Sequence, residues 1–331
     1  MTDMLLAKPK LPADWIDLSV GEAVLVRQAL SKHFEFPFYK LTDHEYEYPD
    51  PSGYKPLVGL LEEQYKAPVV ITNGAKQGLG SIAYALHKMG KRSIGLGPIY
   101  WCLLPPVMHC HGLTCEFDPL LPSDAQLLVL PNNPDNSLDT SEREWAFEGV
   151  PLIHDAVYYN HLYLPADYPL PPIGDIQLFS ASKYLGLSGL RVGWAVCPNS
   201  DFYGLIREYV EMTTVGVSIA SQKAVYGLLR AMQECPEKQL AFEADARHAL
   251  KEAKKTLVKI NPTVLDIPKD LPEQPGMFAF VQCKRPDVLK AAKISVPDGK
   301  HFGKEGHIRI NLAVEAKTLQ EAVERINRCA E

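Results

Sequence analysis

Short apolar runs alternate with longer stretches of helical periodicity along most of this chain. Residues 69–73, 93–97, 126–130, 151–155, 176–179 and 192–196 are near-continuous apolar runs of strand length, the pattern of strands buried on both faces. Between them, Leu57, Leu60, Leu61 and Tyr65 fall on one helical face, and so do Leu79, Ile82, Ala83 and Leu86. Helical patterns continue over 201–212, 220–232 and 237–258, the last with charged and apolar positions alternating as in a helix that links two domains. Strand patterns then recur near 263–265, 277–281 and 307–311, and a helix over 318–328 closes the series. Strands alternating with helices from 53 to 235 predict an α/β fold with a mostly parallel central sheet. The remainder predicts a smaller α+β domain. The expected division is an N-terminal arm (1–44) that joins the small domain, a large domain (45–235) and a small C-terminal domain (236–331); residues 1–16 are expected to be irregular.

Composition narrows the function classes. A chain of 331 residues can bury a large core. Its net charge of -6 and lack of a basic run argue against a nucleic-acid footprint or a polybasic membrane anchor. No apolar run approaches the ~20 residues that span a bilayer, and the first apolar stretch is too short for a secretory signal, so a cytoplasmic protein is expected. Seven scattered cysteines without a Cys-x-x-Cys pair fit reduced thiols. Cys102, His109, Cys110, His111 and Cys115 crowd one region without the ligand spacing of a zinc site, and no metal is expected.

The chemistry gathers at residues 179–194, FSASKYLGLSGLRVGW. Ser180 and Ser182 precede Lys183 where a buried strand is expected to give out into a loop, and Arg191 closes a bend that three glycines permit. A lysine partly desolvated and near another cation has a lowered pKa, which frees its amine for Schiff-base chemistry. Hydroxyls and a guanidinium beside it suit a phosphate. Pyridoxal 5'-phosphate meets both needs, through its aldehyde and its phosphate. Ser-x-Ser-Lys followed by Gly-Leu-x-Gly-x-Arg-x-Gly-Trp resembles the cofactor-lysine signature of the class I and II aminotransferases of PLP fold type I.

Other segments resemble that family in the same order, nearly throughout the chain. Ile16 to Glu22, IDLSVGE, is similar to a stretch that crosses the mouth of the active site, which implies Gly21 beside the substrate. The resemblance of Tyr-Pro-Asp-Pro implies that Tyr48 reaches the phosphate of a neighbouring subunit's cofactor, hence a homodimer with shared sites. A strand feeding a helix through Gly74-Ala75-Lys76 leaves free N–H groups at the positive helix end, a ready anion site. No Walker loop is present there, and the family uses this turn for the cofactor phosphate, usually with a hydroxyl where Lys76 stands. Gly95-Leu96-Gly97 lacks the third glycine of a dinucleotide fingerprint. The family implies instead that Tyr100 stacks on the pyridine ring; for Trp101, shaping the substrate pocket and core packing both stay open. Pro131 to Asn136 reads as a turn; by resemblance Asn133 donates to the cofactor's phenolic oxygen, joined by Tyr158, and contacts substrate. Asn136 replaces the family glycine.

A carboxylate at the end of a buried strand is costly unless paired, and a protonated pyridine nitrogen is a fitting partner for Asp155. Arg309, on an otherwise apolar strand, calls for a carboxylate; the resemblance makes it the clamp on the substrate's α-carboxylate. Residues 132–135, 154–164 and 213–222 are most similar to the tryptophan aminotransferase and alliinase branch, while Tyr-Pro-Asp-Pro is similar to histidinol-phosphate aminotransferases. The implied activity is transfer of the amino group of an L-amino acid to a 2-oxo acid, with Lys183 as the covalent amine. A β-eliminating C–S lyase on the same cofactor and a non-catalytic PLP-binding sensor are the rival readings.

Overall fold

The computed structural model describes residues 11–36, 41–138, 149–165, 167–170 and 173–331. The first ten residues of the segment expected to be irregular lie outside them. A two-residue strand β1 (Ile16–Asp17) precedes helix α1 (Val24–His33), whose Leu25, Val26, Ala29 and Leu30 are buried. Next come α2 (Lys55–Tyr65), β2 (Val69–Thr72), α3 (Gly74–Lys88), β3 (Ser93–Gly95), α4 (Leu104–Cys110) and β4 (Thr114–Glu116). They are followed by β5 (Gln126–Val129), β6 (Leu152–Asp155), β7 (Ile176–Ser180), the single turn α5 (Ala181–Tyr184) and β8 (Gly193–Val196). These seven strands, β2 to β8, form one sheet in the order β2-β8-β7-β6-β5-β3-β4. All pair in parallel except β8, which runs antiparallel to both neighbours. Burial on both faces explains their lack of alternation: every residue of β2 and β8 is buried.

Helices α6 (Ser200–Thr214) and α7 (Ile219–Glu234) lead into the long α8 (Pro236–Leu257). Then follow β9 (Leu265–Asp266), β10 (Phe278–Cys283), α9 (Pro286–Ala291), β11 (Ile294–Ser295), β12 (His307–Asn311) and α10 (Ala316–Ala330). The order β12-β10-β9 makes an antiparallel sheet. A separate parallel pair joins β1 to β11, so residues 16–17 are strapped to residues 294–295. Leu18 extends the strap, donating its N–H to Ser295 and accepting from Asn311.

Two local expectations change for identifiable reasons. Thr263 is not in a strand, because its N–H and hydroxyl both bond Asn261 Oδ1 and hold a turn there. Lys183 stands in a helical turn rather than a loop, because Ser180 caps that turn: its Oγ accepts the Ser182 N–H at 3.1 Å. No helix among the described residues is long and apolar enough to cross a membrane.

Candidate active site

A cavity of about 530 Å³ opens at the C-terminal ends of β5, β6 and β7 and the N-terminal end of α3. Val129, Asp155 and Leu178 stand side by side across those three strands, so the pairing register fixes the depth of the Asp155 carboxyl. Ligands in open α/β sheets bind at such carboxyl ends.

Lys183 reaches the cavity from α5, and its carbonyl is held by the Tyr163 hydroxyl at 2.8 Å. Its Nζ donates to the carbonyl of Gly21. Burial lowers its pKa to about 8; Glu22 and Asp155 oppose that shift while Arg309 and Arg191 add to it. Asp155 is 4% exposed and accepts only the Val157 N–H, at 3.3 Å, among the described residues. Burial pushes its carboxyl up to about 7. Asn133 donates from Nδ2 to the Tyr158 hydroxyl at 3.3 Å and accepts from Arg309 Nη1 at 2.8 Å. Burial also raises the Tyr158 phenol.

Arg309 lies between two rings, 4.5 Å from the centroid of Phe278 and 4.8 Å from that of Phe302. Its Nη2 donates to Ser19 O at 2.9 Å, while Nε is buried without a partner. No carboxylate pairs with this guanidinium among the described residues, and burial lowers its pKa. Arg191, also on the cavity, curls against the start of α3, its Nη2 donating to Asn73 O at 3.4 Å. A Cβ on Gly74, which has φ +71°, would come within 2.3 Å of Arg191 Nη2. Glycine there keeps the guanidinium and the helix N-terminus in one cradle, with Ser180 and Ser182 bonded to each other at 2.9 Å beside it.

Gly21, Ala75, Lys76, Asn133, Asp155, Tyr158, Ser180, Ser182, Lys183, Arg191 and Arg309 thus share one cavity, as the sequence anticipates. Three placements differ, the smallest at Gly74, which does not line the cavity itself but packs against Arg191, which does. Tyr100 is not among the cavity residues: its ring packs 4.7 Å from that of Phe117 and its N–H bonds Phe302 O, whereas the neighbouring Trp101 lines the cavity. The Tyr100 N–H bond to Phe302 and the ring contact with Phe117 hold Tyr100 on the far side of this loop, while the turn that begins at Trp101 leaves Trp101 on the cavity. Tyr48 is 87% exposed and lies outside the lining of its own chain's cavity. Sequence reasoning missed Glu22 and Ser188, which also line the cavity and are bonded to each other. The run IDLSVGE carries the signal for Glu22, a carboxylate directly after the glycine of the strap.

The donor set fits pyridoxal 5'-phosphate: a buried amine for an aldehyde, a buried carboxyl without a side-chain partner for a ring nitrogen, and an anion cradle for a phosphate. Fold and site together define the class, the fold type I pyridoxal-phosphate enzymes. A family profile described as Allinase (Alliinase_C) matches residues 122–330, and the chain belongs to that family.

Over 109 residues the chain is 38% identical to tryptophan aminotransferase-related protein 2 of Arabidopsis thaliana, covering 33% of this chain and 24% of that protein. It is 24% identical over 327 residues to aspartate/prephenate aminotransferase of Thermus thermophilus, covering 85% and 83% of the two chains. Alliin lyase of Allium cepa var. aggregatum is 36% identical over 97 residues, 29% of this chain and 20% of that one. Among solved structures, a Thermus thermophilus aspartate aminotransferase mutant complexed with tryptophan superposes with a TM-score of 0.78 at 21% identity, covering 96% of this chain and 92% of that one. The matched regions span only 24–44% of the length of the three Arabidopsis relatives.

Proposed function

We propose that this protein is an aminotransferase that moves the amino group of an L-amino acid to a 2-oxo acid. One observation carries the reading: a buried amine of lowered pKa (Lys183), a buried carboxyl of raised pKa (Asp155) and a buried guanidinium without a carboxylate (Arg309) converge on one cavity. Pyridoxal 5'-phosphate, when bound there, supplies an aldehyde that links amines covalently and a ring that accepts electrons. Asp155 holds the proton on the ring nitrogen, and in doing so gains the cationic partner its burial calls for. Asn133 and Tyr158 offer hydrogen bonds to the phenolic oxygen, while Gly74, Ala75, Ser180, Ser182 and Arg191 receive the phosphate. Lys76, with its Nζ 5.9 Å from the Trp101 ring centroid, adds positive charge on that side.

Arg309 grips the substrate's α-carboxylate, Gly21 leaves room for its Cα, and Lys183, once released, takes the Cα proton. Tyr48 serves the site of a second copy, so the working unit is a homodimer; a monomer in sedimentation at working concentration would remove that role. The same reading divides the chain into an arm (1–44), a large domain (45–235) and a small domain (236–331). Limited proteolysis that cut preferentially inside 69–196 rather than between these units would reject the division.

The test is borohydride reduction followed by peptide mass spectrometry, with the adduct expected on Lys183. An adduct elsewhere, or none, rejects the assignment. A panel of amino acids added without acceptor should then convert the cofactor spectrum to that of its amine form. The match to alliin lyase favours a second reading, β-elimination on the same cofactor. Pyruvate and ammonia released without a 2-oxo acid acceptor would establish it.

Two substitutions probe the placements. Arg309→Ala should raise the apparent KM for the amino acid by about 10²-fold, the size of a lost charge-assisted carboxylate contact, with a smaller fall in kcat. Steady-state kinetics with an unchanged KM would move the clamp elsewhere. Trp101→Ala should weaken cofactor binding on the order of tenfold through loss of a ring contact, while Tyr100→Ala, which removes a ring packed on Phe117 outside the cavity, should have a clearly smaller effect. Fluorescence titration of the apo-protein distinguishes the two, and equal effects would overturn the distinction.

A further inference from the structure

Four carbonyl contacts pin residues 19–22 across the cavity. Ser19 O accepts from Arg309, Val20 O and Glu22 O from Asn311 Nδ2 at 2.6 and 2.8 Å, and Gly21 O from Lys183. The Glu22 side chain turns into the same cavity, where its Oε2 takes the hydroxyl of Ser188. Ser188 follows Lys183 by five residues, on the bend that Arg191 closes, so the Glu22–Ser188 bond ties the strap to the lysine's own loop.

The charged and titratable groups facing this space are Lys76, Asp155, Tyr158, Lys183, Arg191 and Arg309, besides Glu22 itself. The proposed reading gives Asp155 to the ring nitrogen, Tyr158 to the phenolic oxygen, Arg191 and Lys76 to the phosphate and Arg309 to the substrate carboxylate. Glu22 is the one charged group left without a partner in that scheme.

We propose that Glu22, anchored by Ser188, is the positioning residue for Lys183: its carboxylate stabilises the ammonium that forms when Lys183 takes the Cα proton. The electrostatics agree with this geometry. After burial, Glu22 is the largest influence on the Lys183 ammonium and opposes the depression that burial and the two arginines cause. Glu22 thus offsets part of the lowering that burial, Arg309 and Arg191 cause. Asp155 acts in the same direction more weakly, and is committed elsewhere once a ring nitrogen faces it.

The consequence for turnover rests on the reading of Lys183 as the cofactor amine, but the test does not. In apo-protein, the pH dependence of Lys183 acetylation by acetic anhydride, followed by peptide mass spectrometry, reports the amine's own proton affinity. Removing the neighbouring anion destabilises the ammonium, so Glu22→Gln should lower the midpoint by about one pH unit and raise labelling about tenfold below it. Glu22→Asp should recover most of the shift. In the loaded protein, the pH titration of the cofactor absorbance should move the same way.

An unchanged Lys183 midpoint in folded Glu22→Gln protein overturns the proposal, and so do equal shifts in Glu22→Gln and Glu22→Asp. If Glu22→Gln does not accumulate as folded protein, Ser188→Ala is read in the same assay, because it keeps the carboxylate and removes its anchor. A lowered midpoint supports the role, and an unmoved one rejects it. The borohydride adduct decides separately whether Lys183 carries the cofactor, so either statement can fail alone.

Discussion

Lys183→Ala is expected to lose multiple-turnover activity by about 10³-fold or more while the protein remains folded and still takes up cofactor without a covalent link. Folding is expected to survive because the amine is a burden to the core. It is buried at the cost of a pKa lowered to about 8, and among the described residues its amine hydrogen-bonds only to Gly21 O. Alanine removes a buried charge and keeps the capped turn, since Ser180 and Ser182 form the cap without it. The phosphate cradle around Gly74 and Arg191 is also untouched. Activity measured against a 2-oxo acid acceptor, beside equilibrium dialysis of the cofactor, separates the two effects. Full multiple-turnover activity in the variant would end the aminotransferase reading.

Asp155→Asn should abolish most turnover and at the same time stabilise the apo-protein as pH rises. The native carboxyl is pushed from 3.8 up to about 7 by burial, so between these values the folded state binds a proton that the unfolded state has released. Apo stability owed to this group is fully present below about pH 4 and is lost as pH rises through 7, at about 1.4 kcal/mol per pH unit within the window. His154, held neutral by burial down to about 4, acts in the opposite direction over part of the range. Raw stability curves therefore mix the two. The difference between Asp155→Asn and the native apo-protein in urea unfolding isolates Asp155: it should favour the variant increasingly from about pH 4 to pH 7 and level off above. A difference that does not vary with pH would mean the carboxyl is solvated after all. The opposed outcomes for stability and turnover mark a group retained for chemistry rather than for the fold.

Much of this was legible in the chain because burial on both faces writes strands as uninterrupted apolar runs. Residues 69–72, 126–129, 152–155 and 193–196 needed no alternation to be recognised. Strand direction was less legible. The run at β8 carries no mark of being antiparallel, since that follows from the tight return through Ser188 to Arg191 rather than from composition.

For the site, residues at strand ends and on the glycine bend could be placed from sequence, because those positions have little freedom. The choice between Tyr100 and Trp101 depended on which way each residue of one loop faces, and the sequence does not show that Tyr100 packs against Phe117. Glu22 was hidden for a similar reason: its meaning lies in Ser188, 166 positions away. Tyr48 shows the limit of a single chain, because the role proposed for this exposed ring can be examined only beside a second copy.

The strap through β1 has a consequence for how the protein is made. Its partners are residues 294–295 on β11 and Asn311 on β12, so the wall over Lys183 cannot be laid down until those late-synthesised segments have emerged. The seven-stranded sheet, by contrast, is complete at residue 196. The cavity is therefore closed from both ends of the chain: Asp155 and Lys183 lie within the sheet's own span, while Gly21 and Arg309 come from the segments that the strap ties together.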